Sequence, residues 1–435
     1  MRILSSSSAQ AQSVLKDREQ FRLRLIDEYD YEIQSDFRRY RFDREDFLVE
    51  CAKDRDGLAL NAESLWVDPV QIKTSAKLLS VEARGFVEAV KDRIERYQSE
   101  LKFNSFTVEE EAGVLWGVET RPFDRVGIYV PGGRVSYFMS LMINAVPARM
   151  AGVRDIVVAT PPKRSLPGTF VDPLLLYAAK ILDVDQILLS GGAPGLAALA
   201  FGTSKTLPVQ KIVGSGSNRT NVAKMRLSGI VSVDTFAGPS ETAFVCDKTV
   251  DLKVLAADIL GRADHDPDSK IFLFHQDEVW VQNLVSRMAS IISDVKDQQT
   301  QESLKICLEK NFLCLIVKNT DEALRFVNQI SPATVCLHIK NPSDSIRKIH
   351  SCGLLLIGPY TPPTAVDLFG GAAGALPTSG AAQFFQAISP ASFQRRFSYV
   401  EVDRSALERS QESSQELARL EGFIVHDESF KARLE

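Results

Sequence analysis

The stretch RVGIYVPGG, residues 125–133, decides the fold. A short apolar run stops at Pro131, Gly132 and Gly133. SLMINAVPARMAG (140–152) then reads as a helix, and DIVVAT (155–160) as another short apolar run. A strand that is apolar along its whole length has both faces covered, as in a parallel sheet between two layers of helices. The alternation continues outward. VDPLLLYAAKILDV and APGLAALAFG read as helices, and QILLSGG and KIVGSG as strands. After about residue 240 it resumes. TAFVCD, KIFLFH, LCLIV, TVCLHI and GLLLIG read as strands, and DLKVLAADILGRA, EVWVQNLVSRMASIISDV and TDEALRFVNQI as helices.

The expected fold class is therefore α/β, with two Rossmann-like parallel-sheet domains in succession. Residues 1–115 are charged and helical in pattern, too polar to form a core alone, and are expected to pack partly on the second α/β unit. The first Rossmann-like domain is placed at 116–238 and the second at 239–380. A small helical C-terminal domain is placed at 381–435, where SALERSQESSQELARLEGF is polar and helical in pattern. Gly-rich turns fall at the strands' carboxyl ends, at Gly132–Gly133, Gly191–Gly192, Gly214–Gly216 and Gly370–Gly371. Ligands bind at that edge of an open α/β sheet. No complete GxGxxG occurs, and GSGSNR is its nearest approach.

A net charge of -5 and a charged fraction of 25% give no reason to expect a nucleic acid or membrane partner. The six cysteines, Cys51, Cys246, Cys307, Cys314, Cys336 and Cys352, form no CxxC pair and lie mostly in apolar runs. They read as buried thiols of a reducing compartment. The N-terminus lacks an apolar segment long enough for a signal peptide, so the expected location is the cytoplasm.

Several motifs together resemble the histidinol dehydrogenase family. They are RVGIYVPGG, NAVPARMAGV, ILLSGGAPGLAALAFG, DTFAGPSE, ADHDPDS, ALPTSG and ARLEGFIVHDES, in the family's order between Gly113 and Ser429. The resemblance implies two Rossmann-like domains in an intertwined homodimer, in which the C-terminal segment completes the neighbouring subunit's site. It also implies NAD-dependent oxidation of histidinol to histidine in two steps, with zinc holding the substrate. Such chemistry needs a Lewis acid, a proton-transfer pair and a held nicotinamide.

The site residues are then compared one by one. The family's two zinc-ligand histidines match His265 and His426, and its aspartate matches Asp367. Its glutamine position is Arg262. A guanidinium has no lone pair to donate and stays protonated. At about 4 Å and an effective dielectric near 20 it would repel a divalent ion by roughly 8 kcal/mol, against about 10–16 kcal/mol for a complete structural zinc site. The metal set is therefore His265, Asp367 and His426 only if zinc binds at all. The alternatives are that Arg262 replaces the metal and pairs with Asp367, or that it swings out to solvent. The catalytic Glu-His positions are Ala333 and Thr334, and a further histidine position is Gly374. Of the NAD contacts, Tyr129 is kept, the glutamine is Pro194, and the asparagine is Ser217 with Asn218 beside it. Ser240 and Glu421 match substrate contacts.

Three readings follow. The favoured one is a catalytically degenerate homologue that keeps the fold, the dimer and a pocket of Ser240, Arg262, His265, Asp367, Glu421 and His426 for a small-molecule ligand, an anionic one being the kind that Arg262 could bind. No cofactor is assigned to it. The second is an NAD-dependent enzyme acting on another small alcohol, with His338 or Tyr137 as the only bases at hand, both better suited to the core. The third is a working histidinol dehydrogenase using zinc and NAD in histidine biosynthesis.

Overall fold

A computed structural model describes the chain apart from residues 133, 134, 185, 367, 369, 370, 372–374 and 424, and the side chains of residues 18 and 19. In chain order, strand β1 (Arg2–Ser5) precedes helices α1 (Ala9–Glu19), α2 (Phe21–Asp43), α3 (Glu45–Asp54), α4 (Pro69–Thr74) and α5 (Val81–Gln98). A hairpin of β2 (Phe106–Glu111) and β3 (Val114–Pro122) follows. The first α/β unit runs β4 (Arg125–Tyr129), α6 (Phe138–Ala151), β5 (Asp155–Thr160), α7 (Pro173–Ile181), β6 (Gln186–Leu189), α8 (Gly192–Phe201), β7 (Lys211–Val213), α9 (Asn218–Arg226) and β8 (Ser232–Val233). The second runs β9 (Glu241–Cys246), α10 (Leu252–Ala263), β10 (Lys270–His275), α11 (Glu278–Asp294), α12 (Gln298–Asn311), β11 (Phe312–Ile316), α13 (Thr320–Ile330), β12 (Thr334–His338), α14 (Ser343–Ile346) and β13 (Leu354–Ile357). The chain closes with β14 (Gln394–Val402), α15 (Arg404–Arg409), α16 (Gln411–Glu421) and α17 (His426–Leu434).

The first sheet has the order β6-β5-β4-β7-β8, all parallel. Counted from its own first strand, that is the 3-2-1-4-5 order of dinucleotide-binding domains. The second sheet repeats the order over β11-β10-β9-β12-β13, and β1 adds in parallel beyond β11. Alternate residues of one strand feed separate cores. Val126, Ile128, Ile156 and Val158 join the cluster under α6 and α7. Tyr129, Val157 and Ala159 join the cluster under α2 and α8. Phe244 and Cys246 face α10 and α11, whereas Ala243 and Val245 face α1 and α13. Helix starts follow from capping carboxylates and hydroxyls. Asp172 accepts from the N–H of Leu174 ahead of α7, with Pro173 in the first turn, and Asp251 accepts from Lys253 ahead of α10.

Both ends of the chain depart from a purely helical reading. Residues 2–5 form an edge strand rather than part of a helical arm. Residues 394–402, in the region read as helical, pair antiparallel with β3 to make the three-stranded sheet β14-β3-β2. The N-terminal helices touch both units, α1 against α13 and α2 against α8 and α9. Among the described residues no helix is long and apolar enough to cross a membrane.

Candidate functional site

Among the described residues, Tyr129, Pro194 and Ser217 lie at one sheet edge, Ser240, Arg262, Ala333 and Thr334 at another, and Glu421 and His426 on the C-terminal helices. At the carboxyl edge of the first sheet, Tyr129 ends β4 and is buried, and its hydroxyl accepts the Gly192 N–H at 3.0 Å at the start of α8. Burial pushes the phenol above its ordinary value. Ser217 caps α9, accepting from the Thr220 N–H at 3.2 Å. The turn leaving β7 has Gly214 at φ +120°, where a Cβ would run into the Tyr129 carbonyl. Only glycine lets the two strand ends approach so closely. Pro194 lies buried in the first turn of α8 and has no N–H to offer. Tyr129, Gly132, Ser217 and Thr220 line a cleft of about 660 Å³, joined by Asp56, Lys163 and Arg164.

The other edge is the amino edge of the second sheet. Arg262 stands in the last turn of α10, and its Nε donates to the Thr242 hydroxyl of β9 at 3.1 Å. Thr242 sits beside Thr334 across the β9–β12 ladder, so Arg262, Thr242 and Thr334 form one cluster. Thr334 and Ala333 are both buried, and the Ala333 carbonyl accepts from Leu354 at 2.9 Å. Ser240 precedes β9 and donates to the Ser269 hydroxyl at 2.9 Å, tying the starts of β9 and β10 together. The GRADHDPDS stretch is a helix end passing into a turn, and His265 is exposed there.

Glu421 ends α16 and His426 begins α17, both exposed, and the His426 ring stacks on Phe423 at 4.3 Å. These two helices pack chiefly on each other and on α15. Asp367 and Gly374 lie outside the described residues. Among the described residues, no three histidine, cysteine, aspartate or glutamate side chains stand together as metal donors. His338 is a packed histidine, 1% exposed and stacked on Phe244. Tyr137 packs on the core under α6 and α7.

Sequence reasoning missed three features. The His338 Nε2 lies 3.6 Å from the Asp258 carboxylate, and burial raises Asp258 to about 6 while lowering His338. Glu241 is fully buried and accepts the Ser379 N–H at 2.8 Å, with the Lys270 ammonium 3.6 Å away. Lys163 and Arg164 stand at the first sheet's cleft. Their signal was a basic pair following the strand DIVVAT and two prolines.

Fold and cleft together define a two-unit α/β protein of dinucleotide-binding topology. The histidinol dehydrogenase family model matches residues 28–434. Histidinol dehydrogenase of Bacillus cereus is 34% identical over 355 residues, covering 81% of each chain. That of Zymomonas mobilis is 34% identical over 388 residues, covering 89% of this chain and 88% of its own. The crystal structure of histidinol dehydrogenase from Elizabethkingia anophelis superposes with a TM-score of 0.85 at 25% identity, over 93% of this chain and 92% of that one. The chain belongs to the histidinol dehydrogenase family.

Proposed function

We propose that this family member does not oxidise histidinol and has kept its fold as a ligand-binding homodimer of the cytoplasm. The observation that carries the reading is the pair Ala333–Thr334, buried at the start of β12 where the family resemblance places its glutamate and histidine. Neither side chain exchanges a proton at neutral pH, so no general acid or base stands there. Arg262 points the same way. A guanidinium gives no lone pair to zinc and repels it, and the residues at this edge do not fit the metal. On the family resemblance the positions Ser240, Arg262, His265, Asp367, Glu421 and His426 would make up the ligand pocket, with the Arg262 guanidinium as the group that could hold an anionic part of a small molecule.

Exposed apolar side chains support the dimer part of the reading on physical grounds. Phe397 and Val400 of β14 and Leu420 and Val425 near α17 are at least half exposed. Apolar area of that kind marks an interaction surface. The free, mostly buried cysteines suit a reducing cytoplasm.

Zinc stoichiometry after growth and dialysis with zinc available tests the proposal. Less than about one zinc per ten chains is expected, on the ground that Arg262 costs the site roughly 8 kcal/mol. About one tightly held zinc per chain would overturn it and return the lead to a zinc- and NAD-dependent dehydrogenase. The open cleft at the first sheet favours that second reading as far as nucleotide binding goes, because Tyr129 still reaches it.

A further inference from the structure

A second cavity lies against the first sheet and shares no lining residue with the cleft described above. Side chains alternate along a strand, so Lys211 at the start of β7 shares its face with Val213, which belongs to the cluster under α6 and α7. Next to β7 the sheet ends in β8, a strand of two residues. At this margin Ile388 joins the same cluster, and residues between 382 and 392 border a space of about 410 Å³ against Lys211 and Asp234. That volume lies within the range of small-molecule sites.

The charges beside this space do not balance. Lys211, Lys224 and Asp234 are all buried, and Asp234 is the one acid among the described lining residues. Its carboxylate is already engaged. Oδ1 lies 2.5 Å from the Lys224 ammonium, and Oδ2 accepts the Gly214 N–H at 2.8 Å. The Lys211 ammonium has neutral partners instead, the Ser232 hydroxyl at 3.1 Å and the Val233 carbonyl at 3.2 Å. Two buried ammoniums thus share one carboxylate, and a positive charge is left over at the cavity wall. Buried charges are ordinarily paired. Burial lowers the proton affinity of Lys211, and the attraction of Asp234 opposes this only in part. An anion in the cavity would supply the missing partner and favour the charged form.

The other lining groups narrow the class of that anion. Gln383 and Gln386 bring amide N–H donors, whereas Phe385 and Ile388 bring apolar surface. A monoanion neutralises one surplus positive charge, and a dianion overshoots it. An ammonium also lacks the planar fork with which arginine grips phosphate. We propose that this cavity binds a small carboxylate with an apolar body, its carboxylate on the Lys211 ammonium and its body against Phe385 and Ile388. The site shares no residue with the Arg262 pocket and stands whether or not the chain oxidises histidinol. A charge-assisted hydrogen bond from a buried ammonium gives about a tenfold preference or more over a neutral isostere.

Calorimetric titration of the full chain with benzoate, benzamide and inorganic phosphate tests this, repeated on Lys211→Met, Gln386→Glu and Arg262→Gln. The native chain should bind benzoate at least about tenfold more tightly than benzamide or phosphate. Lys211→Met should remove the preference over benzamide. Gln386 is exposed, so Gln386→Glu keeps the fold; it sets a second carboxylate at the cavity and should weaken benzoate at least fivefold. Arg262→Gln should leave benzoate binding unchanged. Benzoate and benzamide binding within threefold of each other would overturn the role of the ammonium. Phosphate binding as tight as that of benzoate would overturn the carboxylate assignment. Weakening by Arg262→Gln, with none by Lys211→Met or Gln386→Glu, would put the anion in the other pocket and overturn this one. No benzoate binding at tens of millimolar would overturn the site altogether.

Discussion

Replacing Lys224 by methionine probes the brace behind the cleft. Lys224 is 1% exposed, and its ammonium lies 2.5 Å from the Asp234 Oδ1 and donates to the Gly214 carbonyl at 2.8 Å. The Asp234 Oδ2 in turn accepts the Gly214 N–H at 2.8 Å. The pair thus holds both the N–H and the carbonyl of Gly214 at the turn leaving β7, which passes close to the Tyr129 carbonyl. Removing one partner of a buried ion pair costs about 3–5 kcal/mol, because the other charge is stranded. Lys211, whose burial lowers its own affinity for a proton, is attracted to Asp234 and would partly offset that charge. The expected loss is therefore about 3 kcal/mol, or roughly 6–12 °C in Tm for a unit of this size. Urea unfolding followed by circular dichroism at neutral pH measures it. The double variant Lys224→Met with Asp234→Asn removes the stranded charge but keeps an acceptor for Gly214, and should recover more than half of the loss. A loss below about 1 kcal/mol in the single variant, or no recovery in the double, would refute the reasoning.

Three further outcomes are expected. Burial raises Asp258 to about 6 against 3.8 in an unfolded chain, so its stabilising contribution is full below about pH 4 and lost as pH rises through about 6. Asp258→Asn should match the native chain near pH 4 and exceed it by about 2–3 kcal/mol at pH 8, a difference that unfolding curves across that range would detect or exclude. Ser331 ends α13 at φ 50° with no exposed surface, so Ser331→Val should lose about 2 kcal/mol whereas Ser331→Gly stays within about 1 of the native chain. Equal losses would mean that the left-handed backbone is not the cause. Arg262→Gln should raise zinc retention after dialysis at least tenfold without restoring NADH production, since Ala333 and Thr334 are untouched. Unchanged retention would show that the guanidinium does not guard the site.

The parallel sheets were legible because strands buried on both faces read as unbroken apolar runs. β9 and β12 are buried at every position. The strands that escaped notice lack that signal. β1 holds only Ile3 and Leu4 as apolar residues and joins an edge. β2 is exposed throughout, and β14, QRRFSYVEV, is almost so, with arginines beside Phe397. α12 hides a narrow stripe of Leu304, Cys307 and Leu308 in a polar segment.

At the site, Arg262, Ala333 and Thr334 stood out because they replace groups that the family chemistry needs. The Asp258–His338 pair did not, because only the parallel pairing of β9 with β12 brings α10 against His338. Lys163 and Arg164 read as an ordinary basic loop until the strand order placed them beside a cleft.

The most direct test of the central claim is NADH production by the purified full-length chain given histidinol, NAD and zinc together. No NADH above the rate without protein is the predicted result, because the chain carries no acid–base pair at Ala333 and Thr334. Sustained turnover at about 1 s⁻¹ or faster, the range of ordinary enzymes, would contradict the account.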